Sequence, residues 1–218
     1  MKILLGKYLK KIKLKTAMKR LFMAINLPEN IKNELAENIN EISDLFPEGM
    51  GREVATWVRK DNLHITLLFI GDTRDEDIPA VLELVNEVAK KHSPFEIQLE
   101  RICYGPDKKI PPRLIWLELA ENKQLSAMTN ELKERAGERG LLRKFEDRPF
   151  SPHITLARIK EWQWRKIEPE ERPDIDRDIS LSFKVESIDL MESVLKRGGA
   201  EYTVLKSESL NGKIVIGN

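Results

Sequence analysis

Apolar and polar positions along this 218-residue chain switch repeatedly between a period near two and a period near 3.6. Residues 20–27 are an apolar run stopped by Pro28, which predicts a strand. After Pro28, Glu29 and Asn30 the period lengthens, and Ile31, Leu35, Ile39 and Ile42 fall on one stripe of a helix. Proline is tolerated in a first turn, and Glu29 there complements the helix dipole. Residues 47–51 read as a loop, 54–58 as a strand and 60–62 as a turn. A strand over 63–70 follows, closed by Gly71 and Asp72. Residues 75–91 read as a helix with Ile78, Val81, Leu82, Val85 and Val88 inward, ending before Pro94.

The second half repeats the mixture. Residues 95–104 alternate as a half-buried strand, 105–112 form a loop with three prolines, and 113–119 form a strand. A helix over 122–140 turns Leu125, Met128 and Leu132 inward, with Gly137 and Gly140 near its end. Residues 149–159 are a strand. Residues 161–178, charged and interrupted by two prolines, read as a loop or partly ordered insert. Strands over 179–190 and 202–210 flank a turn at 196–199. Helices are too few, and strand spacings too uneven, for a doubly wound parallel sheet. The expectation is an α+β fold with two antiparallel sheets, each backed by helices on one face.

Composition narrows this picture. Apolar residues make up 41% of the chain, enough for a real core, and the net charge of +1 does not demand nucleic acid. Residues 1–17 carry six lysines and no acid, with Leu5, Leu9 and Ile12 at helical spacing. They read as a frayed, non-essential extension, so the domain expectation is 18–218. Its halves are 18–93 and 94–218, with exchange of strands between them left open. Cys103 is the only cysteine, which excludes an internal disulfide and fits a reducing cytoplasm. No apolar run reaches the ~20 residues of a membrane span.

The tetrapeptide His-Ile-Thr-Leu occurs twice, at His64–Leu67 and His153–Leu156, and uses two of only three histidines. On a strand, residues i and i+2 share a face. Each copy therefore sets an imidazole and a hydroxyl against an apolar row. The copies lie 89 residues apart, as an internal duplication would place them. Two imidazoles in one cleft can divide acid–base labour, one accepting and one donating a proton. Thr66 and Thr155 can donate to the oxygens of an anion. No metal or cofactor is required. His92, with no threonine partner, reads as a surface residue. Trp57 and Trp116 read as core. Trp162 and Trp164 share a face if extended, and either clamp a nucleotide or fold onto the body.

Paired His-x-Thr-x segments resemble the two-histidine (2H) phosphoesterase superfamily, and the surroundings are similar to its RNA 2',3'-cyclic phosphodiesterase, or 2'-5' RNA ligase, branch. The stretches that carry the resemblance are 20–28 (RLFMAINLP), 57–71 (WVRKDNLHITLLFIG), 112–116 (PRLIW) and 148–158 (RPFSPHITLAR). The basic extension, isoleucine at both x positions and the segment 161–178 depart from the pattern.

The resemblance implies a bilobal fold whose two sheets face each other across a central cleft, with pseudo-two-fold symmetry and a His-x-Thr strand on each side. It implies hydrolysis of a terminal 2',3'-cyclic phosphate on RNA, such as a tRNA half, to a 2'-phosphate, with reversible 2'-5' ligation. His153 would be the proton acceptor and His64 the proton donor, an assignment that sequence alone leaves open to reversal. Thr66, Thr155 and Arg158 would bind the phosphate. Arg158 lies five residues after His153, so on a regular strand it points away unless the strand bulges. Phe22 and Phe150 are candidates for stacking on a base, or core residues. Arg148, Lys60, Arg113, Lys108 and Lys109 could line the rim for RNA phosphates. No stable protein partner is implied, and a monomer is expected. The alternatives are a phosphodiesterase for small cyclic nucleotides or 2'-5' oligoadenylates, and a catalytically idle nucleotide- or RNA-binding module.

Overall fold

The computed structural model describes residues 18–106, 110–142, 150–197 and 199–211. The basic extension, Lys108, Lys109 and Arg148 lie outside the described residues.

Strand β1 (Met18–Asn26) leads through Leu27 and Pro28 into helix α1 (Glu29–Asp44). The short β2 (Ala55–Trp57) and a single 3-10 turn at Lys60–Asn62 precede β3 (His64–Arg74). Helix α2 (Ile78–Ala89), β4 (Phe95–Gly105), β5 (Leu114–Leu119) and helix α3 (Lys123–Glu138) follow. The chain ends its described part with β6 (His153–Ile159), a one-turn helix α4 (Glu161–Trp164), β7 (Asp176–Val185), β8 (Ser187–Lys196) and β9 (Gly199–Ser209).

The strands run antiparallel in the order β7-β4-β5-β6-β3-β1-β8-β9, with β2 paired to β6. Where two separate sheets were expected, hydrogen bonding joins them at one rung, Ile65 opposite Ile154. Both isoleucines are fully buried, so the nine-stranded sheet is two halves, β7-β4-β5-β6 with β2 and β3-β1-β8-β9, joined over core side chains. The halves are not the sequence halves. β2 crosses to β6 in one direction, and the β8–β9 hairpin returns to β1 in the other. Residues 179–190, expected as one strand, break at Glu186 because β7 pairs with β4 while β8 pairs with β1.

A single large core joins the inward faces of both halves to α1, α2 and α3, through residues such as Met23, Leu35, Val85, Ile97, Leu132 and Leu156. Asn122 caps α3, its Oδ1 accepting from Leu125 N–H at 2.9 Å. Ion pairs of Glu87 with Arg139 and of Glu131 with Arg135 run between or along α2 and α3. His92, expected on the surface, is half-buried and bonded to Glu131 Oε2 at 2.9 Å, which ties the end of α2 to α3. Gly71, expected to end its strand, instead sits in β3 at φ 86°, beside a register shift against Leu21 and Phe22. A positive φ is cheap only for glycine, so the bulge forms there and the strand continues to Arg74. No helix among the described residues is long and apolar enough to cross a membrane.

Candidate active site

The rung that joins the halves organises the site. Because Ile65 and Ile154 point into the core, His64 and Thr66 on β3, and His153 and Thr155 on β6, point to the opposite face. Carried one residue either way, the antiparallel register sets His64 beside Thr155 and Thr66 beside His153. The two imidazoles are close enough that the charge of His153 acts on His64.

Each imidazole is oriented by a carbonyl two residues earlier in the chain. His64 Nδ1 lies 2.6 Å from the carbonyl oxygen of Asn62, and His153 Nδ1 lies 2.8 Å from that of Ser151. A carbonyl only accepts, so Nδ1 carries the proton in both rings, and Nε2 is the acceptor nitrogen of the neutral ring. Thr66 Oγ1 sits 2.9 Å from His64 Nε2 and donates to it when the ring is neutral. The two rings also share a packing scheme. Phe22 and Tyr202 lie against His64 at centroid distances of 5.1 and 5.2 Å, and Trp116 lies against His153 at 4.6 Å.

Arg158 joins this face through a bulge. Trp116 pairs with Thr155 and Ile115 with Ala157, so Leu156 is the extra residue on β6. Leu156 and Ala157 are consecutive and both fully buried, which reverses the strand's parity and returns Arg158 to the side of His153. Its positive charge acts on both histidines. Burial is the main influence pushing the His64 proton affinity down, opposed by the bond to Asn62 and reinforced by the charges of His153, Arg158 and Lys32. His153 is lowered in the same way by burial and by Arg158, against its bond to Ser151.

Of the remaining candidates, Phe22 is nearly fully buried beneath Tyr202, and Phe150 is partly buried against the main core. Trp116, read as core, is buried and also touches the site. Trp57 packs on the core and donates from Nε1 to the Gly51 carbonyl at 2.8 Å. Trp162 and Trp164 do not share a face, because the segment is helical there: Trp164 is buried and Trp162 is exposed. Lys60 bonds to Asn33 Oδ1 at 2.6 Å and pairs with Glu29 on α1. The sequence reading missed Tyr202 and Lys32. Tyr202 reaches the site from a distant hairpin and carries no local signal. Lys32 was hidden beside the apolar stripe of α1, yet it is only 7% exposed. Among the described residues no group of three or more His, Cys, Asp or Glu side chains is placed to hold a metal.

The site can bind a tetrahedral anion between two hydroxyls and a guanidinium, with a proton carrier at either end. The chain is similar to known proteins over most of its length. The family model of the 2'-5' RNA ligase superfamily matches residues 29–197. The chain is 32% identical over 200 residues to the RNA 2',3'-cyclic phosphodiesterase of Thermus thermophilus, covering 89% of this chain and 91% of that one. The Escherichia coli enzyme of the same name is 30% identical over 192 residues, covering 88% and 96%. A solved structure from Thermus thermophilus superposes with a TM-score of 0.73 at 31% identity, over 89% of this chain and 99% of that one. Escherichia coli LigT complexed with 3'-AMP gives 0.70 at 27% identity, with the same coverage. On the extent of the model match and these relatives, the chain belongs to the 2'-5' RNA ligase superfamily.

Proposed function

We propose that this protein hydrolyses a terminal 2',3'-cyclic phosphate on RNA to a 2'-phosphate by two-histidine acid–base catalysis without a metal, with reversible 2'-5' ligation when a 5'-hydroxyl takes the place of water. The observation that carries this reading is the meeting of both His-x-Thr strands at the Ile65–Ile154 rung, with Arg158 turned to the same face. Relatives bearing the name RNA 2',3'-cyclic phosphodiesterase, similar over most of the chain, support the substrate class.

In the proposed reaction, Thr66, Thr155 and Arg158 hold the phosphoryl oxygens. His153 Nε2 takes a proton from water as the oxygen attacks phosphorus. His64 Nε2 gives its proton to the departing 3'-oxygen, leaving a 3'-hydroxyl and a 2'-phosphomonoester. Protons then exchange with solvent. Both rings have lowered proton affinity in the free protein, so the negative phosphate supplies the pull that keeps the acid protonated. The working body is residues 18–218, a monomer, and the buried free thiol of Cys103 suits a reducing cytoplasm.

One observation favours the opposite proton order. Leaving aside the repulsion that the two histidines share, Arg158 and Lys32 oppose a proton on His64 and Arg158 opposes one on His153, which would make His64 the base and His153 the acid. A substrate whose 3'-oxygen is replaced by sulfur decides between them. Sulfur leaves without protonation, so the variant lacking the acid is rescued and the variant lacking the base is not.

The central test is end-group analysis of a cyclic-phosphate-terminated RNA incubated with EDTA present. Ring opening to a 2'-phosphate is expected, with His64→Ala and His153→Ala each slowed on the order of 10²–10⁴-fold. Full activity in either variant would refute the two-histidine mechanism.

A further inference from the structure

Among the described residues two charged side chains are buried, Lys32 at 7% exposed and Asp189 at 4%. Asp189 lies on β8 between Ile188 and Leu190, which enter the main core, so it points to the opposite face. Cross-strand pairing sets it in one row with Thr66, Ala24 and Ser207, across β3, β1, β8 and β9. The neighbouring row of the same face pairs His64 with Asn26. Asn26 Oδ1 and Asp189 Oδ1 are both buried without a hydrogen-bond partner. Lys32 comes from the first turn of α1, the helix entered straight after β1.

The charge of Lys32 acts on both groups. Burial raises the proton affinity of the Asp189 carboxyl, opposed by the Ser207 and Ser187 hydroxyls, the Asn26 backbone N–H and the charge of Lys32. Burial lowers that of His64, and the charges of His153, Arg158 and Lys32 add to the effect against the bond to Asn62. The other elements against the ring bring Phe22 from β1 and Tyr202 from β9. Lys60, in the turn before His64, is taken up by exposed Glu29, which also feels Lys32. On His153 the acting charge is that of Arg158, and Lys32 has no part.

A buried ion pair is a poor source of stability, because desolvation offsets its attraction, while the loss of one partner strands the other. Such a pair beside a proton carrier points to function. We propose that Lys32 and Asp189 form a buried charge pair behind His64, with Lys32 a positioning residue whose fixed charge keeps the ring unprotonated in the free enzyme. The ring takes its proton together with the anionic phosphate, whose charge offsets that of Lys32. The inference rests on the phosphodiesterase reading above and deepens it, adding a residue that acts through the imidazole.

The test follows the titrations of both histidines by NMR in the wild type, Lys32→Met and Lys32→Arg, with His153 as internal reference. In Lys32→Met the His64 titration is expected to move to higher pH while that of His153 stays. The limb of the kcat/KM profile that reports His64 should move the same way, and inorganic phosphate should bind more weakly. Lys32→Arg keeps the charge and should restore the wild-type titration. An unmoved His64 in Lys32→Met overturns the proposal, as does an equal shift of both histidines, which a general loosening of the site would give. A double-mutant cycle of unfolding with Asp189→Asn tests the pairing. The double variant should be less destabilised than the sum of the single variants, since it strands neither charge. Strict additivity overturns the pairing. If Lys32→Met alone fails to fold, the double variant carries the titration in its place. A wild type that opens no cyclic phosphate overturns the phosphodiesterase reading instead, and the titrations, which need no turnover, still decide the role of Lys32.

Discussion

The side-chain amide of Asn62 donates to the backbone carbonyl of Ala200 at 2.7 Å, joining the turn before His64 to the β8–β9 hairpin. The main-chain carbonyl of the same asparagine accepts from His64 Nδ1 at 2.6 Å. Hairpin and imidazole therefore share one anchor, and Tyr202 rests against the ring two residues beyond Ala200. Asn62→Ala keeps the carbonyl and cuts only the tie to the hairpin. One neutral hydrogen bond is worth about 1 kcal/mol, so activity is expected to fall about fivefold. Amide exchange at Ala200 and Tyr202 should accelerate in the same variant. Unchanged exchange together with unchanged activity would show that the tie holds nothing.

On the other half, Gly105 lies against the face of Trp116. A Cβ at Gly105 would stand 2.2 Å from the indole, closer than any real contact. Trp116 in turn supports His153 at 4.6 Å and donates from Nε1 to Cys103 Sγ at 3.3 Å. Gly105→Ala must push the indole off its seat. Overpacking of this kind costs about 1–3 kcal/mol. The variant should show a lower melting temperature, a changed tryptophan near-UV signal and reduced kcat. An intact melting temperature and spectrum would mean the indole has room that the contact distance denies.

Both histidines have folded-state proton affinities below the ordinary 6.5, mainly through burial. A histidine with a depressed folded pKa binds protons better when unfolded. Stability therefore rises with pH through the window below 6.5 and is lost as pH falls through it. For activity, the required acid loses its proton at lower pH than free imidazole does. The profile of kcat/KM, which reports the free enzyme, should turn down on the alkaline side below 6.5. Saturating substrate, being anionic, should move the corresponding limb of kcat upward. Carbon-detected titration of the C2 positions of His64 and His153, with and without inorganic phosphate, checks the same shift directly.

Much of the fold was legible because each strand and helix follows its own period. The stripe Ile31, Leu35, Ile39 and Ile42 is buried on α1 as spacing predicts. The His-x-Thr pairs were legible because strand parity is strict over three residues. What failed was information carried by partners distant in sequence. Residues 179–190 look like one strand, yet Glu186 divides them between neighbours in different halves. The joining of the halves at one rung has no local signature either. Spacing also misplaced the tryptophans at 162 and 164, because four residues of helix replace extended chain there.

Arg158 shows the limit of parity most directly. Five residues from His153, it belongs on the far face of a regular strand, and only the extra residue Leu156 brings it back. If its guanidinium grips the phosphate, Arg158→Ala removes a charge-assisted bond worth about 1.5–3 kcal/mol. Inorganic phosphate and substrate should then bind about 10- to 150-fold more weakly. Arg158→Lys should recover part of this, since it keeps the charge and loses the planar fork. The same charge lowers both histidines in the free protein. Arg158→Ala should therefore raise both imidazole titrations before any ligand is added. A surface arginine that merely decorates the strand would leave phosphate affinity and both titrations where they were.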